Sequence, residues 1–313
     1  MKKLLLGFFT LILLVIAGIY IFIPGQITIT KSVSMAANRD ALLRKLQSGA
    51  SWKEWWPGNE DINDTALSYS LKGIRFTPRS PRALSVPVLI QSGGFETSTD
   101  LTLLPQNMDS TTLHLEAVIP FSTNPVKRFR QYLKTEKLEN SFSEILQSIR
   151  NRYSSITNLY DYDIQKKKVV DSILISTFAE NKGYPSITRI YELIDQLKDY
   201  IKKNAAADTG FPMLNIYTAD SVNYLVRVAI PVDKKLPGSG NISYKSMLGG
   251  GNILVTEVKG GKAEINKAYK QIMNYMADHS RTPPAIPFES LVTDRRNEPD
   301  SSKWITRIYY PVM

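Results

Sequence analysis

The sequence predicts an α+β protein in three parts: an N-terminal transmembrane helix, a domain of strands closed by one long helix, and a duplicated β-α-β-β domain. Three observations carry this. An uncharged apolar run extends from Leu4 to Ile23. Segments of alternating apolar and polar residues then precede a long amphipathic stretch that ends near Ile156. Finally, residues 209–232 resemble residues 284–312, each copy lying behind an amphipathic helix.

The apolar run comes first. As a helix it would span roughly 30 Å, the thickness of a bilayer's hydrocarbon core. A secretory signal has a shorter apolar region and a small-x-small cleavage site, whereas this run ends in Tyr20-Ile21-Phe22-Ile23-Pro24. The expectation is an uncleaved single-pass anchor over residues 1–25, with residues 4–23 in an inner membrane. Lys2 and Lys3 favour a cytoplasmic N-terminus and a periplasmic or extracytoplasmic remainder, although Lys31 and Arg39 on the other flank oppose that orientation.

Residues 26–157 form the second part. Ile27 to Val33 alternates like a half-buried strand, and a short helix follows around Asn38–Leu46. Trp52, Trp55 and Trp56 then cluster before Pro57. Further alternating segments lie at Ala66–Phe76, Ser85–Gln91 and Leu113–Ile119. Asn124-Pro125 supplies a capping side chain and a proline at the first helical position. The helix it starts carries a stripe of Leu138, Phe142, Ile145, Ile149, Tyr153 and Ile156.

Residues 158–313 form the third part. Lys168–Ser176 reads as an apolar strand, and Ser186 can cap a helix with Ile187, Ile190, Ile194, Leu197 and Ile201 on one face. Phe211–Thr218 and Tyr224–Val232 follow as paired strands. The second copy runs through strand Asn252–Val258, turn Gly260-Gly261, helix Glu264–Asp278, and strands Phe288–Thr293 and Trp304–Val312. Pro212 answers Pro287, Arg227 answers Arg307, and Pro231 answers Pro311.

Composition narrows the function classes. At 313 residues, 43% hydrophobic and 22% charged, the chain is globular in composition and has room for two domains. It contains no cysteine, which removes disulfides, thiolate zinc sites and cysteine nucleophiles. Its two histidines, His114 and His279, are far apart in sequence, so a histidine-rich metal site is excluded while a carboxylate site stays open, and no cofactor is expected. The net charge of +10 is scattered, with Lys166-Lys167-Lys168 the longest basic run. No helix-turn-helix, zinc-finger or RNA-binding pattern accompanies it, so nucleic acid is not an expected partner.

Two family resemblances follow from these residues. The Ile23-Pro24 entry, the early strand and helix, the Trp52-x-x-Trp55-x-Pro57 pattern and the long last helix resemble the START-like, helix-grip (SRPBCC) superfamily. That resemblance implies a cavity between sheet and helix for apolar molecules; packing of the three tryptophans as core is the alternative. The duplicated arrangement, Gly250-Gly251, Gly260-Gly261-Lys262, the segment Pro287–Asp294 and the ending Trp304–Val312 resemble the GyrI-like effector-binding domain. Bacterial members bind ligands in multidrug-responsive transcription regulators, occur as free-standing binding proteins, and include some hydrolases. A glutamate on the strand after the second helix commonly faces their groove, and Glu289 falls there; Leu214 is its counterpart in the first copy.

Glu289 stands out without the family. A carboxylate beside Phe288, Leu291 and Val292 needs a partner, a ligand or a raised pKa if it is buried. Tyr217, Tyr224, Trp304 and Tyr309 are candidate walls, and Arg307 is a candidate ligand contact or the cross-strand partner of Glu289. The expected function is membrane-anchored capture of a small amphipathic or hydrophobic molecule, for sensing, buffering or delivery. The alternative is a hydrolase that uses Glu289, with Tyr309 or Tyr217 as proton donor.

Overall fold

The computed structural model describes residues 2–61, 67–170, 172–218, 220, 222–247 and 249–313. Ala66, where one expected strand begins, lies outside them. The chain divides into two compact units, Met1–Leu159 and Tyr160–Met313. Each is mixed α and β on an antiparallel sheet, one of seven strands and one of eight.

The first unit opens with α1 (Lys2–Phe22), β1 (Gln26–Met35) and α2 (Arg39–Leu46). Five strands follow: β2 (Asn59–Asp61), β3 (Ser68–Leu71), β4 (Ile74–Pro78), β5 (Ser85–Ser92) and β6 (Phe95–Asn107). The unit ends in β7 (Ser110–Pro120), α3 (Pro125–Tyr153) and the short α4 (Ile156–Tyr160). Its strand order, β1-β7-β6-β5-β4-β3-β2, is a meander closed by the first strand pairing with the last. Asn124 caps α3, its side chain accepting from the backbone of Val126 and Lys127. Leu138, Phe142, Ile145, Ile149 and Tyr153, spaced at the helical period, are the buried side of that helix.

The expected transmembrane anchor is corrected by this structure. Among the described residues no helix is long and apolar enough to cross a membrane. The single-pass inner-membrane placement and the periplasmic position drawn from it lose their basis. The C-terminal turn of α1 shows a physical reason: it is docked by polar contacts. The Tyr20 hydroxyl donates to the Thr123 carbonyl. The Arg128 guanidinium lies 4.9 Å from the Tyr20 ring centre, and its Nε donates to the Ile23 carbonyl at 3.1 Å.

Tryptophans fill the interior of the first sheet. Trp52 and Trp55 lie 4.9 Å apart between ring centres, Trp56 packs 5.3 Å from both Tyr69 and Phe76, and Trp52 is 1% exposed. The space left between these rings, Leu101, Leu115 and the α3 residues Phe142 and Ile145 is about 10 Å³, barely room for one water.

The second unit carries β8 (Gln165–Lys168), β9 (Ser172–Lys182), α5 (Ile187–Lys203), β10 (Met213–Thr218) and β11 (Asn223–Val232). It continues with β12 (Ser243–Met247), β13 (Asn252–Lys259), α6 (Lys262–Asp278), β14 (Phe288–Leu291) and β15 (Ile305–Val312). The sheet order is β12-β9-β11-β10-β14-β15-β13-β8, which reads the same from either end once the two copies are exchanged. Each copy is β-α-β-β, and the edge strands are traded. β8 precedes the first copy but pairs with β13 of the second, while β12 precedes the second copy but pairs with β9 of the first. The expected single strand Lys168–Ser176 is thus two strands in opposite halves of the sheet, β8 at one edge and β9 next to the other, with residue 171 outside the described set.

One core shows how the helices sit. Ser186 caps α5 by accepting from the Arg189 amide at 3.1 Å. Ile190, Ile194, Leu197 and Ile201 then pack with Val226, Val228 and Ile230 of β11 and with Leu214 of β10. Burying each such side chain stabilises the fold by about 1.5–3 kcal/mol. On α6 the buried side is Ile265, Ala268, Ile272 and Met276.

Candidate ligand-binding site

The two copies meet where β10 pairs with β14, with Met213 opposite Ser290 and Leu214 opposite Glu289. Glu289 and its counterpart Leu214 therefore face each other across the junction. Residues opposed in an antiparallel pair point to the same face. Leu214 belongs to the core under α5, so Glu289 also projects from the helix-bearing face.

There the Glu289 side chain is only 15% exposed, and Arg295, 8% exposed, approaches it at 3.4 Å. The same guanidinium donates to Thr306 Oγ1 at 2.9 Å and stacks over Trp304 at 4.9 Å. The Arg295 amide donates to the Tyr191 hydroxyl at 2.7 Å, which fixes the loop that carries it. Burial pushes the Glu289 carboxyl above its usual range, and the Arg295 charge opposes that rise. Tyr269 on α6 and Tyr184 just before α5 are both pushed up by burial, with the Glu289 charge the next cause. Both phenols therefore stay protonated at neutral pH and can donate hydrogen bonds.

Two further tyrosines extend this cluster. Tyr224 of β11 meets Tyr184 edge to face at 5.7 Å, and Tyr310 of β15 meets Tyr269 at 6.4 Å. Each copy thus contributes a tyrosine pair. The Lys262 ammonium, at the start of α6, lies 3.2 Å from the centre of the Tyr184 ring. Apolar ring faces, phenolic donors, one carboxyl and one guanidinium together make a surface able to hold an amphipathic molecule.

The residues singled out in the sequence divide between the two faces. Glu289 and Tyr224 share the helix-bearing face, and Trp304 joins them through Arg295. Tyr217, Arg307 and Tyr309 lie on the other. Arg307 is held by Glu257, Nε to Oε2 at 2.9 Å, so it is not the partner of Glu289. Tyr309 stacks on Phe288 at 4.9 Å with the rings 6° from parallel, and Tyr217 is 56% exposed. Sequence reasoning does not find Arg295, Tyr184, Tyr269 or Tyr310. Tyr269 had a signal, since it follows Ile265 by four residues on the inward side of α6. Arg295 had none, because it lies in a loop without periodicity.

The opposite face carries a depression of about 400 Å³ lined by β9, β11, β12 and the start of β14. Among the described residues no cluster of three or more metal-ligating side chains occurs.

Comparison with known proteins gives one family match and several structural likenesses. Residues 177–313 match a family model described as a GyrI-like small molecule binding domain. That stretch is a GyrI-like small molecule binding domain. The C-terminal domain of EcmrR is similar in structure at 20% identity and a TM-score of 0.40, over 49% of this chain and 98% of that one. A hydrolase from Listeria innocua is similar at 10% identity and a TM-score of 0.36, over 48% of this chain and 91% of that one. The Zhui aromatase/cyclase from Streptomyces sp. R1128 is similar at 13% identity and a TM-score of 0.33, over 40% of this chain and 92% of its own. No curated protein matches this chain.

Proposed function

We propose that the GyrI-like domain reversibly captures a small amphipathic molecule on its helix-bearing face, over the junction of the two copies. The observation that carries this is Glu289, a buried carboxyl at the junction, paired with Arg295 and flanked by Tyr184 and Tyr269. A buried ion pair is weak support for a fold, because desolvation offsets its attraction. Its position among phenols instead suits recognition. A ring-bearing body would lie against the tyrosines, and a polar group would meet Glu289 or Arg295. Because Arg295 already balances Glu289, and Lys262 already occupies the Tyr184 ring, a neutral polar group fits better than an organic cation. Capture and release without chemical change would serve sensing, buffering or delivery.

The hydrolase alternative loses its expected proton donors, since Tyr309 and Tyr217 are on the other face from Glu289. For residues 26–157, the seven-stranded antiparallel sheet and α3 support a START-like helix-grip assignment. The tryptophan-filled interior supports a packed platform there rather than a second ligand cavity.

The test is a thermal-shift and calorimetric titration of the full chain with naphthalene carboxamide, the matching amidine and the matching carboxylate. The carboxamide should bind best, and at a hundred times its dissociation constant should stabilise the domain by about 2.7 kcal/mol. Glu289→Gln and Tyr269→Phe should each weaken it. Absence of binding by all three compounds, or binding indifferent to both substitutions, overturns the proposal.

A further inference from the structure

The sheet face away from the helices offers a second, chemically different site. Its depression of about 400 Å³ falls in the size range of small-molecule pockets. Phe178, Met213, Met247 and Phe288 make the walls, and Arg227 and Lys245 are the charged groups of the lining, which contains no carboxylate among the described residues. The strand registers put these six on one face of the sheet. Arg227 of β11 is directly opposite Phe178 of β9, and Lys245 of β12 is opposite Leu174 of the same strand. Met213 and Phe288 open β10 and β14 on the same face.

The charge of this lining sets it apart. Arg307, the counterpart of Arg227 in the second copy, is neutralised by Glu257. The register gives Arg227 a phenyl ring, Phe178, where Arg307 has that glutamate. Arg227 is instead held by a neutral group, its Nη1 donating to Asn215 Oδ1 at 3.1 Å. Among the described residues neither Arg227 nor Lys245 pairs with a carboxylate, even though Glu180 lies two residues along β9 from Phe178 on the same face. Duplication has therefore left one half of this face with a compensated arginine and the other with an uncompensated one beside an apolar hollow.

We infer that this depression binds an anionic amphiphile, its acid group between Arg227 and Lys245 and its hydrocarbon portion against Phe178, Met213, Met247 and Phe288. Unpaired cations on a half-buried surface hold a carboxylate with charge-assisted hydrogen bonds, and Arg does so in bidentate fashion. The apolar walls add affinity in proportion to the area they cover. This site is separate from the one around Glu289, since the sheet lies between them.

Calorimetric titration of the full chain with decanoate, decanol and decyltrimethylammonium tests it. Decanoate should bind, decanol at least tenfold more weakly, and the ammonium compound not measurably. Arg227→Gln combined with Lys245→Gln should weaken decanoate at least tenfold, with the circular dichroism spectrum unchanged. Ala229→Trp, which fills the hollow without touching charge, should also weaken it. The inference is overturned if decanoate fails to bind, if decanol binds equally well, or if the charge-removing variant binds as the parent does. Loss of decanoate binding in Tyr269→Phe, which removes a phenol donor from the helix-bearing face, would place the acid there and overturn it as well.

Discussion

Replacing Arg295 with Met isolates the electrostatics around Glu289. The substitution keeps most of the apolar stem over Trp304 but removes the charge 3.4 Å from the Glu289 carboxyl and the bond to Thr306. Breaking one side of a buried pair costs about 3–5 kcal/mol. The contact is long and Glu289 retains 15% exposure, so the lower figure applies: about 3 kcal/mol, or on the order of a hundredfold in opening of the strand. The loss depends on pH in a defined direction. Burial raises the Glu289 carboxyl above its ordinary value of 4.5, and Arg295 draws it back. A carboxyl raised on folding holds its proton more tightly folded than unfolded, so stability falls as pH rises from the unfolded value toward the folded one, then levels off. Without Arg295 that window extends upward. Arg295→Met should therefore lose most at neutral pH and least near pH 4.5, where Glu289 can take up a proton. Hydrogen exchange followed by mass spectrometry on peptides from β14 and β15 reads this locally. Adding Glu289→Gln should recover much of the neutral-pH loss. Equal losses at both pH values, or strictly additive effects of the two substitutions, would refute the electrostatic account.

Three other substitutions have defined outcomes. Trp52→Ala removes a side chain that is 1% exposed and should cost the first unit about 3–5 kcal/mol in urea denaturation followed by circular dichroism. Arg307→Ala breaks a pair whose side chains are 42% and 54% exposed, and should change stability by less than about 1 kcal/mol in the hydrogen-exchange assay that reports Arg295→Met. Asn124→Ala removes the α3 cap and should cost about 1 kcal/mol, seen as faster amide exchange confined to the first turn of that helix.

The helices were the legible part of this fold. Asn124 and Ser186 announce their starts, and an apolar stripe at the helical period marks what each one buries. The strands were legible only where one face is dry and the other wet. β6 breaks its alternation at Leu103-Leu104-Pro105, and β12, an edge strand with no buried residue among those described, shows little apolar signal. Period alone also cannot assign partners, so the run around Lys168–Ser176 reads as one strand when its ends pair at opposite edges. The N-terminal run shows a different limit. Hydropathy registers its length but not the polar docking of Tyr20 and Ile23. At the site, a carboxylate in an apolar strand gave Glu289 away. Which aromatics share its face depends on register, which separates Tyr309 from Glu289 although both are on strands of the same hairpin. Arg295 depends on how a loop folds back, and that loop is held by contacts with Tyr191, more than a hundred positions earlier in the chain.

The traded edge strands bear on how this domain comes into being. Neither copy can be finished alone: the first lacks an edge until β12 has emerged, and β8 stays unpaired until β13 is made. A ribosome releasing the first copy therefore presents an open sheet margin, the kind of template that recruits strands from other molecules. The same trade means that separately produced halves would each be missing a strand that only the other can supply. Mixed together, they should reassemble as a complementing pair, whereas either half alone should be prone to self-association.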